Sequence, residues 1–464
     1  MVLLPLAFAG EIAVGSGSAP VTAPPAPVVA TTPLDAGLSA LKAKKPDDAI
    51  AALATCAAEL PACRWQLGWA YWLKRDWVHV VTTWESLPPD YEQVSSQLPI
   101  ARGQVKAVEL AAELRRAAPA TFVSAAPTNA TIRLRAVGDM MIGTAFPEGN
   151  LPPDAGAAAF INVSGLTRDA DVTFGNLEGP LCDDPTPSTK CRPDAAEGSC
   201  YAFRSPTAYA HWYKDAGFDV VSTANNHASD FGEICRDQTD AALDGQGILH
   251  SGRPGSVARW TTADGMKIAL IGFHTSPSAH DLNDLPTAVA LVSGLAADSD
   301  IVIVSFHGGA EGSKAIHVPV GHETFYGEDR GDLRTFTHAM IDAGADLVLG
   351  HGPHVLRAME GYNGRLIAYS LGNFSTYGRF NLTGNQGLGA VVEVSLDREG
   401  KFLSGKILGT TQEGEGIPTP DASNAAADLV RMLTTADFPA TGAQIAQDGS
   451  IALTATPPDL ATPR

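Results

Sequence analysis

The chain has 464 residues, more than one core usually serves, so two domains are expected. Its 51 Asp and Glu against 32 Lys and Arg give a net charge of −19, which excludes nucleic acid and acidic membrane surfaces as general partners. A composition of 45% hydrophobic and 18% charged residues, with no apolar run long enough to span a bilayer, is that of a globular protein without a transmembrane helix.

Residues 1–35 open on MVLLPLAFAGEIAVG, where a short apolar stretch and Ala7-Phe8-Ala9 suit signal cleavage although a basic n-region is missing. A signal peptide and a disordered apolar tip are both readings of it. A linker of Ala, Pro, Val, Ser and Thr follows. Six cysteines, none in a C-x-x-C pair, together with export would make disulfides. The expected bridges are Cys56–Cys63 and, of three arrangements for the rest, Cys182–Cys191 with Cys200–Cys235. Six reduced buried thiols are the alternative.

From 36 to 118 the pattern is helical. AGLSALKAKKPDDAIAAL and WQLGWAYWLKRDWVHVVTTW each read as two short helices around a polar turn, and Leu41-Lys42 and Leu73-Lys74 recur 32 residues apart, near the tetratricopeptide period. Trp65, Trp69, Tyr71, Trp72, Trp77 and Trp84 suit the packing of small helices, or a groove for a protein partner. A second linker at 117–130 sets this unit off, so a chain beginning near residue 128 is expected to fold alone.

A different regime covers 130–415. TIRLRAVGDM, DVTFGNLEG, GFDVVSTANNH, MKIALIGFH, DIVIVSFHGG and ADLVLGHGPH are apolar runs that stop at polar residues, with helical segments such as 206–216 and 331–344 between them. Alternation of this kind implies a parallel or mixed sheet in an α/β domain. GAVVEVSLDREGKFLSGKIL reads as a hairpin turning at Asp397 to Gly400, and the extension 416–464 holds one helical stretch, NAAADLVRML.

Ligands of open α/β sheets sit beyond the carboxyl ends of strands. Five such ends deliver Asp139, Asn176 with Glu178, Asn226 with His227, His307, and His351 with His354. Each alone is weak, since a lone Asp caps helices and a lone His is usually structural. Together they offer carboxylate, amide and imidazole donors, which suit Mn, Fe, Zn or Mg rather than a thiolate metal. Asp139, Glu178, Asn226, His307, His351 and His354 are the candidate ligands of one or two divalent ions. Two ions against two carboxylates would leave roughly +2, which attracts a phosphate or carboxylate group. His227 is the candidate acid, working with Asp139 and Glu178.

GDMMIG (138–143), FGNLEGPL (174–181), STANNHASDFG (222–232), VSFHGGAEG (304–312) and LGHGPHVLRAMEGYNGRLIAYSLGNFS (349–375) resemble the CapA family of bacterial capsule or poly-γ-glutamate synthesis proteins, related to calcineurin-like metallophosphoesterases. The resemblance runs over about 132–415. It implies a four-layer α/β/β/α sandwich, a metal-dependent hydrolase site, an extracytoplasmic location in a bacterium and work on an anionic polymer. Arg204 matches the family's Arg after the NLE motif and is a candidate substrate contact, with Asn176 and Glu311. Two departures stand out. The superfamily's Asp-x-His is Asp139-Met140-Met141, and the family's Gly-His-His-Pro-His has Gly352 for its middle histidine. His274, His317 and His322 are the other histidines that could stand in. The segment Cys182–Cys200 reads as a stapled loop over the site's mouth. Two further readings stay open: an epimerase-like site moving a proton next to a carbonyl, and a polymer-gripping assembly protein.

Overall fold

The computed structural model describes residues 32–116, 131–192 and 200–453, and within 107–116 the backbone alone. The signal-like segment, the linker at 117–130 and residues 454–464 lie outside them. Of the described residues, those up to Tyr91 and those from Glu92 onward form two compact units.

The first unit holds α1 (Pro33–Lys42), α2 (Pro46–Ala54), α3 (Pro61–Leu73) and α4 (Trp77–Glu85). Three of these start on proline, whose missing N–H costs nothing there, and Thr32 and Asp76 cap α1 and α4 with side-chain oxygens. Trp65 and Trp84 are buried against each other with centroids 4.8 Å apart, and Trp84 Nε1–H donates to Trp65 O at 3.1 Å. The two helical pairs expected from the sequence are present, and these tryptophans are core. Cys56–Cys63 forms as expected, beside the α2–α3 turn.

The second unit contains, in chain order, α5 (Val94–Arg116), β1 (Thr131–Met141), α6 (Ser164–Thr167), β2 (Val172–Leu177), α7 (Ala210–Asp215), β3 (Val220–Ser222), α8 (Gly232–Gly245), β4 (Leu249–Ser251), β5 (Ala258–Thr261), β6 (Lys267–His274), β7 (His280–Asp281), α9 (Leu285–Ala296) and β8 (Ile301–His307). It continues through β9 (Glu323–Phe325), β10 (Glu328–Gly331), α10 (Leu333–Asp342), β11 (Leu347–His351), β12 (Met359–Tyr362), β13 (Arg365–Ala368), β14 (Asn373–Thr376), β15 (Leu388–Asp397), β16 (Phe402–Glu413), β17 (Ile417–Pro420), α11 (Ala425–Asp437), β18 (Gln444–Ile445) and β19 (Ser450–Ala452).

Apart from β9 and β10, which pair with each other as a separate two-stranded sheet, these strands build two large mixed sheets. The first runs β18-β19-β16-β15-β1-β2-β3-β4, with β14 also on β1 and β17 on β16; the second runs β12-β13-β11-β8-β6-β5, with β7 beside β6. β1 to β4 are parallel, and so are β6, β8, β11 and β13, so each sheet gathers several carboxyl ends on one edge. One apolar core joins Ile132, Leu134 and Phe174 of the first sheet to Ile271, Val304 and Leu349 of the second. The opposite face of the first sheet packs Val137 and Val221 against Tyr213 and Leu243 of α7 and α8. The β15–β16 hairpin turns where expected, with Gly400 N–H bonding Asp397 O at 3.0 Å. Among the described residues no helix is long and apolar enough to cross a membrane.

Two features differ from the sequence expectation. α5, counted with the helical unit from its pattern, packs on α9, where Lys106 Nζ pairs with Asp284 at 3.0 Å. The last four cysteines pair as Cys182–Cys235 and Cys191–Cys200. The expected arrangement fails because Cys235, in the first turn of α8, stands beside Cys182 in the loop that follows β2, with Cα atoms 5.0 Å apart, a tertiary neighbourhood that spacing does not encode.

Candidate metal centre

β1 changes partner where the site begins. Up to Val137 it pairs antiparallel with β15, and from Asp139 it pairs parallel with β14, with Asp139 N–H bonding Gly372 O at 2.9 Å. Gly138 stands at the crossing, where a Cβ would lie 1.9 Å from Gly372 O, so no side chain fits. The register shift re-aims Asp139 into the cleft, as bulges beside active sites do. β2 ends at Leu177, and Glu178 N–H then bonds Met140 O at 2.9 Å. In the second sheet His274, His307 and His351 are cross-strand partners on one edge.

The two sheets therefore bring Asp139, Glu178 and His307 together, with donor atoms within 4.8 Å of one another and all three buried. Asn176 lies between the carboxylates, its Nδ2 donating to Asp139 Oδ1 at 2.8 Å and to Glu178 Oε2 at 2.6 Å. Its Oδ1 accepts from Asn225 Nδ2 at 3.1 Å, so all its polar groups have internal partners. His351 donates Nε2–H to Val137 O at 3.1 Å, which leaves Nδ1 as a free lone pair. His354 lies with Nδ1 3.1 Å from Asn373 Oδ1 and 3.0 Å from Asp139 Oδ2, and its Nε2 is 4.0 Å from Glu178 Oε1.

Burial and charge set the protonation of this cluster. Burial raises Asp139, but the bond and charge of His354 hold its carboxyl below the usual range. Burial and then the Asp139 charge push Glu178 well above its usual value. Burial, reinforced by Arg330, takes His307 well below its own. Burial opposes a charge on His354, yet Asp139, Glu178 and Glu311 outweigh it and raise that imidazole to about 10.

A divalent ion fits this donor set. Glu178 Oε1, His307 Nε2, His351 Nδ1 and Asn226 Oδ1 are buried atoms without a hydrogen-bond partner, and Asp139 Oδ2 has His354 Nδ1 beside it at 3.0 Å. Buried polar atoms are normally satisfied; those of Glu178 and His307 lie in the cluster with Asp139 and offer lone pairs of the kind a divalent ion takes.

His227 stands at the other side. Its Nδ1 lies 2.7 Å from Asp230 Oδ2, and its Nε2 faces Glu178 Oε1 at 3.9 Å. Burial lowers its pKa against the pull of Asp230. Phe203 stacks on the ring at 4.1 Å, and Phe380 links Phe203 to His354 at 5.3 and 5.1 Å. Glu311 Oε2 lies 3.9 Å from His354 Nε2, while Glu311 Oε1 pairs with buried Arg330 at 3.0 Å. Arg204 donates Nη1–H to the carbonyls of Asp184 and Thr186 and lies over Phe231, so that group holds the Cys182 loop. His274 is buried beside Ser276, and His317 and His322 pair at the surface with Asp437 and Asp329. Asp230, Asn373 and Arg330 are the site groups that sequence reasoning did not single out. Asp230 and Asn373 lie inside the NNHASDFG and SLGNF motifs; Arg330 has no local signal.

Residues 133–377 match the family model described as bacterial capsule synthesis protein PGA_cap. The chain is 30% identical over 256 residues to the PGA biosynthesis protein CapA of Bacillus subtilis, covering 51% of this chain and 61% of that protein. It is 27% identical over 309 residues to the capsule biosynthesis protein CapA of Bacillus anthracis, covering 63% and 71%. A probable polyglutamine synthesis accessory protein of Mycobacterium tuberculosis is 31% identical over 185 residues, 33% of this chain and 44% of the relative.

Proposed function

Because the chain belongs to the CapA family of bacterial capsule synthesis proteins, we propose that it acts in making a capsule or poly-γ-glutamate polymer through a divalent-metal centre that hydrolyses a phosphate ester or an amide. The observation that carries the reading is the buried cluster of Asp139, Glu178 and His307, with donor atoms within 4.8 Å of one another and unpartnered lone pairs at Glu178 Oε1 and His307 Nε2. Those three would hold the ion, with His351 Nδ1, Asn226 Oδ1 and His354 Nε2 as further candidate ligands. A bound divalent ion supplies a Lewis acid and a water acidic enough to attack near neutral pH.

The protein's own groups do the rest. Asn176 keeps the two carboxylates apart and oriented. Asp230 fixes the tautomer of His227 so that Nε2 faces the cleft, where it hands a proton to the leaving group. The wall of Phe203 and Phe380 keeps water from that side. Arg330 holds Glu311 at the cleft, from which a carboxylate can accept a hydroxyl or amide proton of the substrate. The shared core of the two sheets, with α7 and α8 on one outer face and α9 and α10 packed on the other sheet, supports a four-layer α/β/β/α sandwich. Three disulfides support an extracytoplasmic location.

Elemental analysis of the purified protein with a panel of phosphomonoesters, phosphodiesters and γ-glutamyl amides tests this. One or two divalent ions per chain, and hydrolysis lost in Asp139→Asn and His227→Ala, are expected. The approach of His227 Nε2 to Glu178 Oε1 would also serve an epimerase moving one proton. A metal-free protein that epimerises a glutamate derivative would establish that alternative. A metal-free, inactive protein would leave polymer binding.

A further inference from the structure

The loop from Cys182 to Arg192 reaches the centre in a way the hydrolytic reading does not use. Ser188 Oγ–H and Thr189 N–H both donate to Asp230 O, at 3.0 and 2.8 Å, and Thr189 Oγ1–H donates to Ser229 O at 2.8 Å. These bonds carry Lys190 across the His227 turn. Lys190 Nζ donates to Asn226 O at 3.2 Å and stands 3.4 Å from Asp230 Oδ1 and 3.3 Å from His227 Nδ1.

Asp230 is therefore held from two directions. One oxygen accepts His227 Nδ1–H and Phe203 N–H, and the other faces Lys190. Its side chain is fully buried while that of Lys190 is 34% exposed, so the lysine brings charge to a carboxylate that water does not reach. Removing one partner of a buried pair leaves the other uncompensated and free to move.

The bridge acts on the same spot. Cys191 follows Lys190, and Cys200 comes shortly before Phe203, the ring stacked on His227. Cys191–Cys200 thus ties together the two stretches that hold His227, one through Asp230 and one through its ring face. Cys182–Cys235 anchors the start of the loop to α8.

We propose that Lys190 is a positioning residue for the His227–Asp230 pair, and that closure of the Cys191–Cys200 bridge keeps Lys190 and Phe203 on it, so that the centre is fully competent only in the oxidised protein. This rests on the reading of His227 as the proton carrier. A dithiol opens the bridge by exchange, gaining its own disulfide as the two cysteines take up two electrons and two protons.

The test uses the full chain. In metal-loaded protein acting on a nitrophenyl phosphodiester, Lys190→Gln is expected to lower kcat about tenfold, with KM and metal content unchanged. Lys190→Arg should recover most of the rate. Cys191→Ser/Cys200→Ser should match Lys190→Gln, and Cys56→Ser/Cys63→Ser should match the native protein. A second measurement does not depend on turnover: the Nδ1 proton of His227 in histidine-labelled, metal-free protein reports its bond to Asp230. That resonance should persist in Lys190→Arg and broaden or vanish in Lys190→Gln and in the double serine variant. An unchanged resonance in Lys190→Gln overturns the proposal whatever the rate does, as does equal loss in the arginine variant. If the native protein hydrolyses nothing, the hydrolytic reading falls and the resonance alone decides the role of Lys190.

Discussion

His354 Nδ1 lies 3.0 Å from Asp139 Oδ2, and His354 reaches it from a left-handed backbone at φ 57°. A non-glycine residue adopts that region at a cost, and it persists where the surroundings over-determine it. Here Pro353 precedes it, and Asn373 binds it twice, accepting from its ring and donating Nδ2–H to its carbonyl at 3.3 Å. The turn is built to present Nε2 to the cleft.

His354→Ala should therefore lower metal affinity by at least the 10–100-fold typical of changes around a metal. The fold should survive, because the ring lines a cleft. His351→Ala should lower affinity as well, and in addition cost about 1–3 kcal/mol, because Val137 O would lose its donor in a site with no exposure. Titration of the metal-free variants by calorimetry, beside their melting curves, separates the two. Unchanged metal affinity in both would return the pair to a structural role.

Gly352 concerns the departure from the family pattern. It takes φ 114°, and a Cβ there would lie 2.7 Å from Gly308 O. Gly352→His, which restores the usual middle histidine, should destabilise by roughly 1–3 kcal/mol without adding a ligand. Differential scanning and metal counting check this. A variant that binds one more ion at an unchanged melting temperature would show that the turn can rearrange.

The legibility of the site divides along a physical line. That Asp139 and His307 come together could be read because each ends an apolar run, and strands on one edge must gather their ends. Asp230 was hidden because an Asp three residues past a His, just before a helix, reads as capping chemistry; only the folded turn shows it on His227. Arg330 comes from β10, in a separate two-stranded hairpin without apolar alternation, and reaches Glu311 only through tertiary packing. The helical pattern of α5 was visible, but a helix does not announce which core its apolar face will join. The pairing of the last four cysteines was unreadable for the same reason, while the nearby Cys56 and Cys63 were read correctly.

That last point about α5 moves the useful cut. Ala101 is fully buried and Gly103 packs against Pro286, where even a Cβ would lie 2.7 Å from the ring. A chain beginning at Glu92 should fold and keep the centre. One beginning near residue 128 uncovers the α9 face and should melt lower, by about 1–2 °C for each kcal/mol lost from a unit of this size. The exposed Lys106–Asp284 pair contributes little of this. Equal melting temperatures for the two chains would mean that α5 is dispensable and the domain begins after it.

His280 gives the fold a pH dependence that needs no metal. It is buried in the second sheet, with Nδ1 3.0 Å from Gly272 O and Nε2 accepting Gly255 N–H at 2.9 Å. Burial lowers its pKa to about 4, although the Gly272 carbonyl pulls the other way. A proton on Nε2 would also meet the Gly255 N–H donor head on. The unfolded chain takes up that proton near pH 6.5, before the folded one does. Its contribution is therefore full above about pH 6.5, shrinks as pH falls, and levels off below about 4, a loss of about 3 kcal/mol over the window. His274 and His307 shift in the same direction, so the native slope contains their terms too. Comparison with His280→Gln isolates this one: Gln can still accept from Gly255 but does not titrate. Metal-free melts from pH 7 to pH 4 should show the variant less stable than the native protein at pH 7 and losing less on acidification. Parallel curves would show that His280 is protonated in the fold and that its burial carries no such cost.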